Sequence, residues 1–185
     1  MKFYFLWIAI LIIAGTTVPA QTPGSGPNNP ALKGTTLTGI VECGEGYTSH
    51  ELYDMKITLL DVVRGEEAWK RVKEASVANK PADSGFEYTL ARIKFGYYAR
   101  GIPGLCVHPL SPNQFTAYSS SGDDYRNPTI VSPKPELRKD LKSGDVFEGW
   151  IVFQVPIQDK APLMAYAADS GGAVDHGGSK WFLLK

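Results

Sequence analysis

Residues that carry chemistry are scarce in this chain. Among 185 residues there are three histidines, two cysteines and three methionines, and 19 basic side chains balance 19 acidic ones. A neutral chain with no block of like charge offers no electrostatic footprint for nucleic acid or an anionic membrane. The two cysteines, Cys43 and Cys106, are too far apart in sequence for the closely spaced thiolate pairs of a structural zinc site. The glycine-rich stretches lack the Gly-Lys-Ser/Thr ending and the following helix of a phosphate-binding loop. What is present is packing material: 43% of residues are hydrophobic and 11% aromatic, enough for one domain with a full core.

Long apolar runs are also missing, with one exception. "MKFYFLWIAILIIAGTTVPAQ" has a basic residue at Lys2, an apolar run from Phe3 to Ala14, and small residues at Val18 and Ala20. Those features predict a cleaved secretory signal over residues 1–20, with an uncleaved anchor as the alternative. The run is shorter than the ~20 residues of a membrane-spanning helix, so no span is expected after cleavage. No cysteine directly follows it, which disfavours a lipid anchor. The expected location is secreted or periplasmic, where an even cysteine count favours a Cys43–Cys106 disulfide over two buried thiols. The loop so closed, about sixty residues long, would contribute about 4 kcal/mol in the chain-entropy model.

"QTPGSGPNNPALKG" is rich in Pro, Gly, Ser and Asn and reads as a flexible linker over residues 21–36. The folded domain is expected over 37–185. "ELYDMKITLLDVVRG" alternates, with Tyr53, Met55, Ile57 and Leu59 on one face and Asp54, Lys56 and Thr58 on the other, the mark of a half-buried strand. "GEEAWKRVKEAS" then changes to a helical pattern, with Trp69 and Val72 on one side, i,i+4 pairs Glu66–Lys70 and Glu67–Arg71, and a stop at Asn79-Lys80-Pro81. Trp69 is expected to anchor that helix to a sheet.

Strand signals return in "FEYTLARIKFGYYAR", with Ala91, Ile93, Phe95 and Tyr97 on one face. Of the adjacent rings Tyr97 and Tyr98, one is expected in the core and the other over the sheet. "NQFTAYSSSGDDYRNP" reads as strand, turn, strand. "GDVFEGWIVFQVP" puts Phe147, Gly149, Ile151, Phe153 and Val155 on one face, while Val146, Trp150 and Val152 make the other partly apolar; a strand apolar on both faces is expected at the centre of a sheet. "PLMAYAA" and "KWFLLK" are the last strands. Many short strands, one helix and no βαβ rhythm predict an all-β sandwich, with the helix inserted after the first long strand.

Three stretches raise chemistry. "DSGG", within "ADSGGAVDHGG", surrounds Ser170 with the letters found around the nucleophile of trypsin-like proteases. A serine needs a histidine base and a group that orients it. None of His50, His108 and His176 sits in a protease-like run, and the last strand follows too soon to wall a pocket, so Ser170 is expected in a turn. Asp123-Asp124 beside Gly122 could suggest calcium but lacks alternating acidic ligands, and a solvated turn is expected. His108, two residues after Cys106, is a weak metal signal. No catalytic residue, no metal site and no cofactor are predicted.

Four stretches resemble the telokin-like, immunoglobulin-fold domains of bacterial secreted proteins and lipoproteins, a domain family of unknown function. They are "LLDVVRGEEAWKRVKEAS", "LSPNQFTAYSSSGDDY", "LKSGDVFEGWIVFQVP" and the closing "KWFLLK", and together they sample most of 51–185. The resemblance implies an immunoglobulin-like β-sandwich of about seven strands and no catalytic residues. The chain departs from it in lacking a lipidated cysteine, and its two cysteines are outside the family pattern. The expected role is an exported, non-enzymatic binding or structural module of the cell envelope or extracellular space, with an unidentified protein or envelope component as partner. The alternatives are a small-ligand or metal-ion module using His108, His176 or Asp123-Asp124, and an enzyme of unfamiliar type.

Overall fold

The structure is a computed structural model, described over residues 22–43, 51–101, 106–167, 174–175 and 178–185. The expected signal over residues 1–20, His50, Ser170 and His176 lie outside the described residues, as does the side chain of Cys43. The strands are β1 (Thr36–Cys43), β2 (Glu51–Arg64), β3 (Phe86–Ala99), β4 (His108–Leu110), β5 (Phe115–Tyr118), β6 (Asp124–Tyr125), β7 (Lys139–Leu141), β8 (Val146–Pro156), β9 (Leu163–Tyr166), β10 (Val174–Asp175) and β11 (Lys180–Leu183). Among the described residues one α-helix, α1 (Gly65–Ala75), follows β2 directly. The all-β class and the helix position expected from the sequence are both observed.

Antiparallel pairing builds a five-stranded sheet in the order β10-β1-β2-β3-β8, a four-stranded sheet β11-β9-β5-β6, and a small pair β4-β7. The alternation in β2 and β3 does what period two requires. Tyr53, Met55, Ile57 and Leu59 are buried on one face, opposite Tyr97, Phe95 and Ile93 of β3. A bulge between Leu59 and Asp61 then shifts the register. The extra residue reverses the parity, so that Val62 packs against the core and Asp61 reaches Lys33 at 3.6 Å on the surface.

The second sheet faces this apolar row with Phe115, Ala117, Met164, Tyr166 and Phe182, and all belong to one core cluster. Each large side chain so buried contributes about 1.5–3 kcal/mol. A smaller second core lies on the opposite side of the five-stranded sheet. There Ala68 and Val72 of α1, with Trp69, pack on Tyr88, Leu90, Val152 and Val63. Trp69 stacks on Tyr88 with ring centroids 6.0 Å apart, which makes it the anchor that its place in the helix suggested. Of the two expected helix pairs, Glu67–Arg71 closes at 3.1 Å.

Two expectations need correction. Residues 22–36 do not form a free linker. Gly24 and Ala31 exchange backbone hydrogen bonds with β11, through Trp181 N–H to Gly24, Ala31 N–H to Trp181 and Leu183 N–H to Ala31. Ala31 is fully buried in the main core. A segment poor in apolar residues is held here by its backbone, which covers an otherwise bare sheet edge.

Nor is β8 central, since it is the last strand of its sheet. Its second apolar face comes from α1 above Trp150 and Val152 and not from strands on both sides. Its free edge is covered by residues 135–137, where Trp150 N–H donates to Pro135 and Leu137 N–H donates to Trp150. Gly149 permits that approach, because a Cβ there would sit 2.7 Å from the Leu137 backbone.

Candidate functional site

A broad hollow in the described surface lies where α1 hands the chain back to the sheet. It is a groove of about 600 Å³ between the loop 78–83 and the segment 124–130, floored by Phe86, Tyr88 and Gln154. The helix ends before Asn79-Lys80-Pro81, and the β5–β6 hairpin releases the chain at Arg126-Asn127-Pro128. Prolines keep both walls extended rather than helical.

Asn79 locks the walls together. Its Nδ2 donates to the carbonyls of Val72 at 2.7 Å and Val131 at 2.8 Å, and its Oδ1 accepts from Val131 N–H at 2.9 Å. On the floor the Tyr88 hydroxyl donates to the Lys80 carbonyl at 2.9 Å, and Gln154 Nε2 donates to Asp83 at 2.7 Å. The Tyr125 hydroxyl donates to Asp159 Oδ2 at 2.7 Å. Burial first, then the Asp159 bond and charge, push the Tyr125 phenol up to about 12. Burial and the nearby Asp83 also raise Tyr88. Both phenols therefore remain neutral donors across physiological pH. Lys80, Arg126 and Asp124 supply charge of both signs at the exposed rim.

Asn127, Pro128, Thr129 and Ile130 also border a second hollow of about 250 Å³. A third, of about 290 Å³, shares Pro81, Phe86 and Tyr88 and adds Trp69 and Ile157. Phe86 is 38% exposed and Ile157 47% exposed, so this side has an apolar lip. The arrangement offers neutral hydrogen bonds, ring faces and charges of both signs. These are means of holding a partner without covalent chemistry.

The residues singled out from the sequence are elsewhere. His108 is only 2% exposed, and its ring lies 5.3 Å from both Phe95 and Tyr97. Its Nε2 is 3.3 Å from the Tyr166 hydroxyl and 3.4 Å from Gln114 Nε2. Burial lowers its pKa to about 4, so it is a neutral core histidine. Asp123 in the β5–β6 turn and Asp124 at the start of β6 are both exposed, and Asp123 accepts from the hydroxyls of Ser119 and Ser121 at 3.4 and 3.0 Å. Among the described residues no three His, Cys, Asp or Glu side chains converge on a metal position. Cys106 packs partly buried against the main core, and no cysteine among the described residues is free.

Sequence reasoning used Asn79 and Lys80 as a helix stop and did not single out Arg126 or Gln154. The available signal was a pair of Asn-containing, proline-broken segments, "NKPAD" and "YRNPT", each leaving a regular element. Nothing local says that they face each other.

No family model and no curated protein matches the chain. Among solved structures, it is similar to ycdA of Bacillus subtilis, a candidate lipoprotein, with TM-score 0.50 and 14% identity over 71% of this chain. The chain spans 36% of the ycdA chain, about a third of its length. At that identity the likeness concerns the fold alone. Two further structures are yjhA of Bacillus subtilis (TM-score 0.49, 14% identity, 83% of this chain and 98% of that one) and the secreted protein MPT63 of Mycobacterium tuberculosis (TM-score 0.41, 14% identity, 67% and 80%).

Proposed function

We propose that the chain is an exported, non-enzymatic domain of the immunoglobulin-like sandwich type that binds a protein or cell-envelope component through the 78–83/124–130 groove. The observation that carries this reading is the double lock of Asn79, which joins two segments 52 positions apart into one preformed cleft. A cleft already shaped does not have to be ordered on binding, which lowers the cost of association. The leader-like N-terminus supports export, and the two apolar faces packed into one core support the sandwich. In an oxidising compartment Cys43 and Cys106 pair, and non-reducing mass spectrometry checks that bridge.

The test is capture from the native cell envelope with three forms of the purified protein. The wild type and a Lys70→Glu control on the helix surface are expected to retain the same partner, and a Phe86→Asp/Arg126→Glu variant to lose it. Equal capture by all three would place the contact elsewhere. A hydrolytic turnover that disappears when groove residues are changed to alanine would replace the binding role with an enzymatic one.

A further inference from the structure

The half of the five-stranded sheet that α1 leaves bare carries a second, chemically different surface. On its outer face β2 presents Asp54, Lys56 and Thr58. In register opposite them β3 presents Tyr98, Gly96 and Lys94. Thr36 of β1 stands opposite Thr58, while Val146 and Glu148 of β8 stand opposite Gly96 and Lys94.

The charges on this face do not cancel. Arg100 takes Asp54 at 2.7 Å, Arg92 takes Glu148 at 2.8 Å, and Lys33 takes Asp61 at 3.6 Å. Lys94 stands opposite Glu148, but Arg92 holds that carboxylate. Lys56 and Lys94 are diagonal neighbours, and neither has an ion-pair partner among the described residues. Like charges so placed repel one another on a sheet and favour an anion between them.

Between the lysines lies a hollow of about 360 Å³, bordered by Thr36, Thr58, Leu60, Tyr98 and Val146. Gly96 makes it possible. A Cβ there would meet the Tyr98 ring at 2.8 Å, so the ring folds across the glycine. The Lys56 ammonium rests 5.0 Å from the centre of that ring, a contact worth about 0.5–1 kcal/mol at an exposed site, which an anion could readily displace. The hydroxyls of Thr36 and Thr58 bond each other at 2.8 Å along the rim. Val146, 44% exposed, adds an aliphatic surface.

We infer that this hollow binds an acidic sugar unit of a polysaccharide. The carboxylate or sulfate would sit between Lys56 and Lys94, the C–H face of the pyranose against Tyr98 and Val146, and the sugar hydroxyls on the Thr36/Thr58 pair. A simple inorganic anion would use the lysines and leave the ring and threonines idle. The inference concerns a face apart from the groove of the proposed function, and neither depends on the other.

Calorimetry on the purified protein at low salt tests it, with oligogalacturonate as the carboxylated probe and a heparin hexasaccharide as the sulfated one. Neutral cello-oligosaccharide, inorganic sulfate and a DNA duplex serve as comparators. At least one acidic oligosaccharide is expected to bind, and which one does identifies the anionic group. Lys56→Gln and Lys94→Gln should each weaken it about tenfold, the scale of one charge-assisted hydrogen bond. Tyr98→Ala should weaken the oligosaccharide several-fold and leave inorganic sulfate unchanged. Lys139→Gln, in β7 of the small β4–β7 pair, should change nothing. Circular dichroism of each variant confirms that it is folded. No binding of either acidic oligosaccharide would overturn the inference, as would binding indifferent to Lys56 and Lys94, equal binding of the neutral sugar, or tighter binding of the duplex.

Discussion

Where α1 crosses the five-stranded sheet, β2, β3 and β8 present Val63, Leu90 and Val152 to it. A few residues along the same strands, on the same face, they present Lys56, Lys94 and Glu148 to water. Backbone pairing runs through both halves apart from the Leu59/Asp61 bulge, so strand formation does not distinguish them. What differs is the cover. In β3 the residues Tyr88, Thr89, Leu90 and Ala91 are buried in succession, and only from Arg92 does alternation with solvent begin. The contrast shows that a period-two pattern reports the number of covered faces and not the presence of a strand.

The sharpest way to break the contrast is to put a charge under the helix. Leu90→Asp is expected to cost about 4 kcal/mol or more, because the carboxylate would be buried without a partner. Lys94→Asp, four residues along the same face, should stay within about 0.5 kcal/mol. Urea unfolding of the two variants measures the difference directly, and similar midpoints would mean that α1 is not docked.

The next effect concerns the main core and should ignore the helix altogether. Burial holds the His108 pKa at about 4, against 6.5 in an unfolded chain. In that window the unfolded state binds the extra proton, so stability is complete above about pH 6.5 and falls as pH drops toward 4, by about 3 kcal/mol. Unfolding measured from pH 7 to pH 4 should show this slope, and His108→Phe should flatten it. An unchanged slope in the variant would assign the acid sensitivity to other groups.

Trp69→Ala probes the cover itself. It removes the ring stacked on Tyr88, and because Trp69 is only partly buried the loss should be about 2 kcal/mol, below the range for a fully buried tryptophan. Helical circular dichroism should decrease with it, while the affinity of the Lys56/Lys94 face for its ligand should not change. Gly149→Ala is the smallest of these perturbations. Its methyl group would push on the Leu137 backbone at the β8 edge, and an overpacking cost of about 1–2 kcal/mol is expected. Faster hydrogen exchange at the Leu137 and Trp150 amides would locate the damage, and protection equal to the wild type would contradict it.

Much of the sandwich was legible because single strands advertise their buried faces. Tyr53, Met55, Ile57 and Leu59 in β2, and Ala91, Ile93, Phe95 and Tyr97 in β3, are buried as their spacing indicates. Tyr98 lies over the outer face beside the buried Tyr97, as a pair of adjacent rings on a strand must divide. The groove was not legible. Its walls are two irregular segments whose partnership depends on two hydrogen bonds between Asn79 and Val131, and no local pattern encodes a contact made across the fold. The docking of residues 22–36 escaped notice for a related reason. A chain with few apolar side chains gives no periodic signal when its backbone does the pairing.

Taken alone, the order of residues determined which stretches are extended, which one coils after β2, and which side of β2 and β3 avoids water, because those outcomes follow from spacing along a short segment. Only the assembled fold decided that β8 ends its sheet, that the N-terminal stretch covers β11, and that His108 is a neutral part of the core. Only the fold left Lys56 and Lys94 as surplus cations, since their neighbours' carboxylates are claimed by arginines that arrive from other positions. Those outcomes depend on which surfaces meet, and burial and charge pairing are properties of the meeting rather than of either segment.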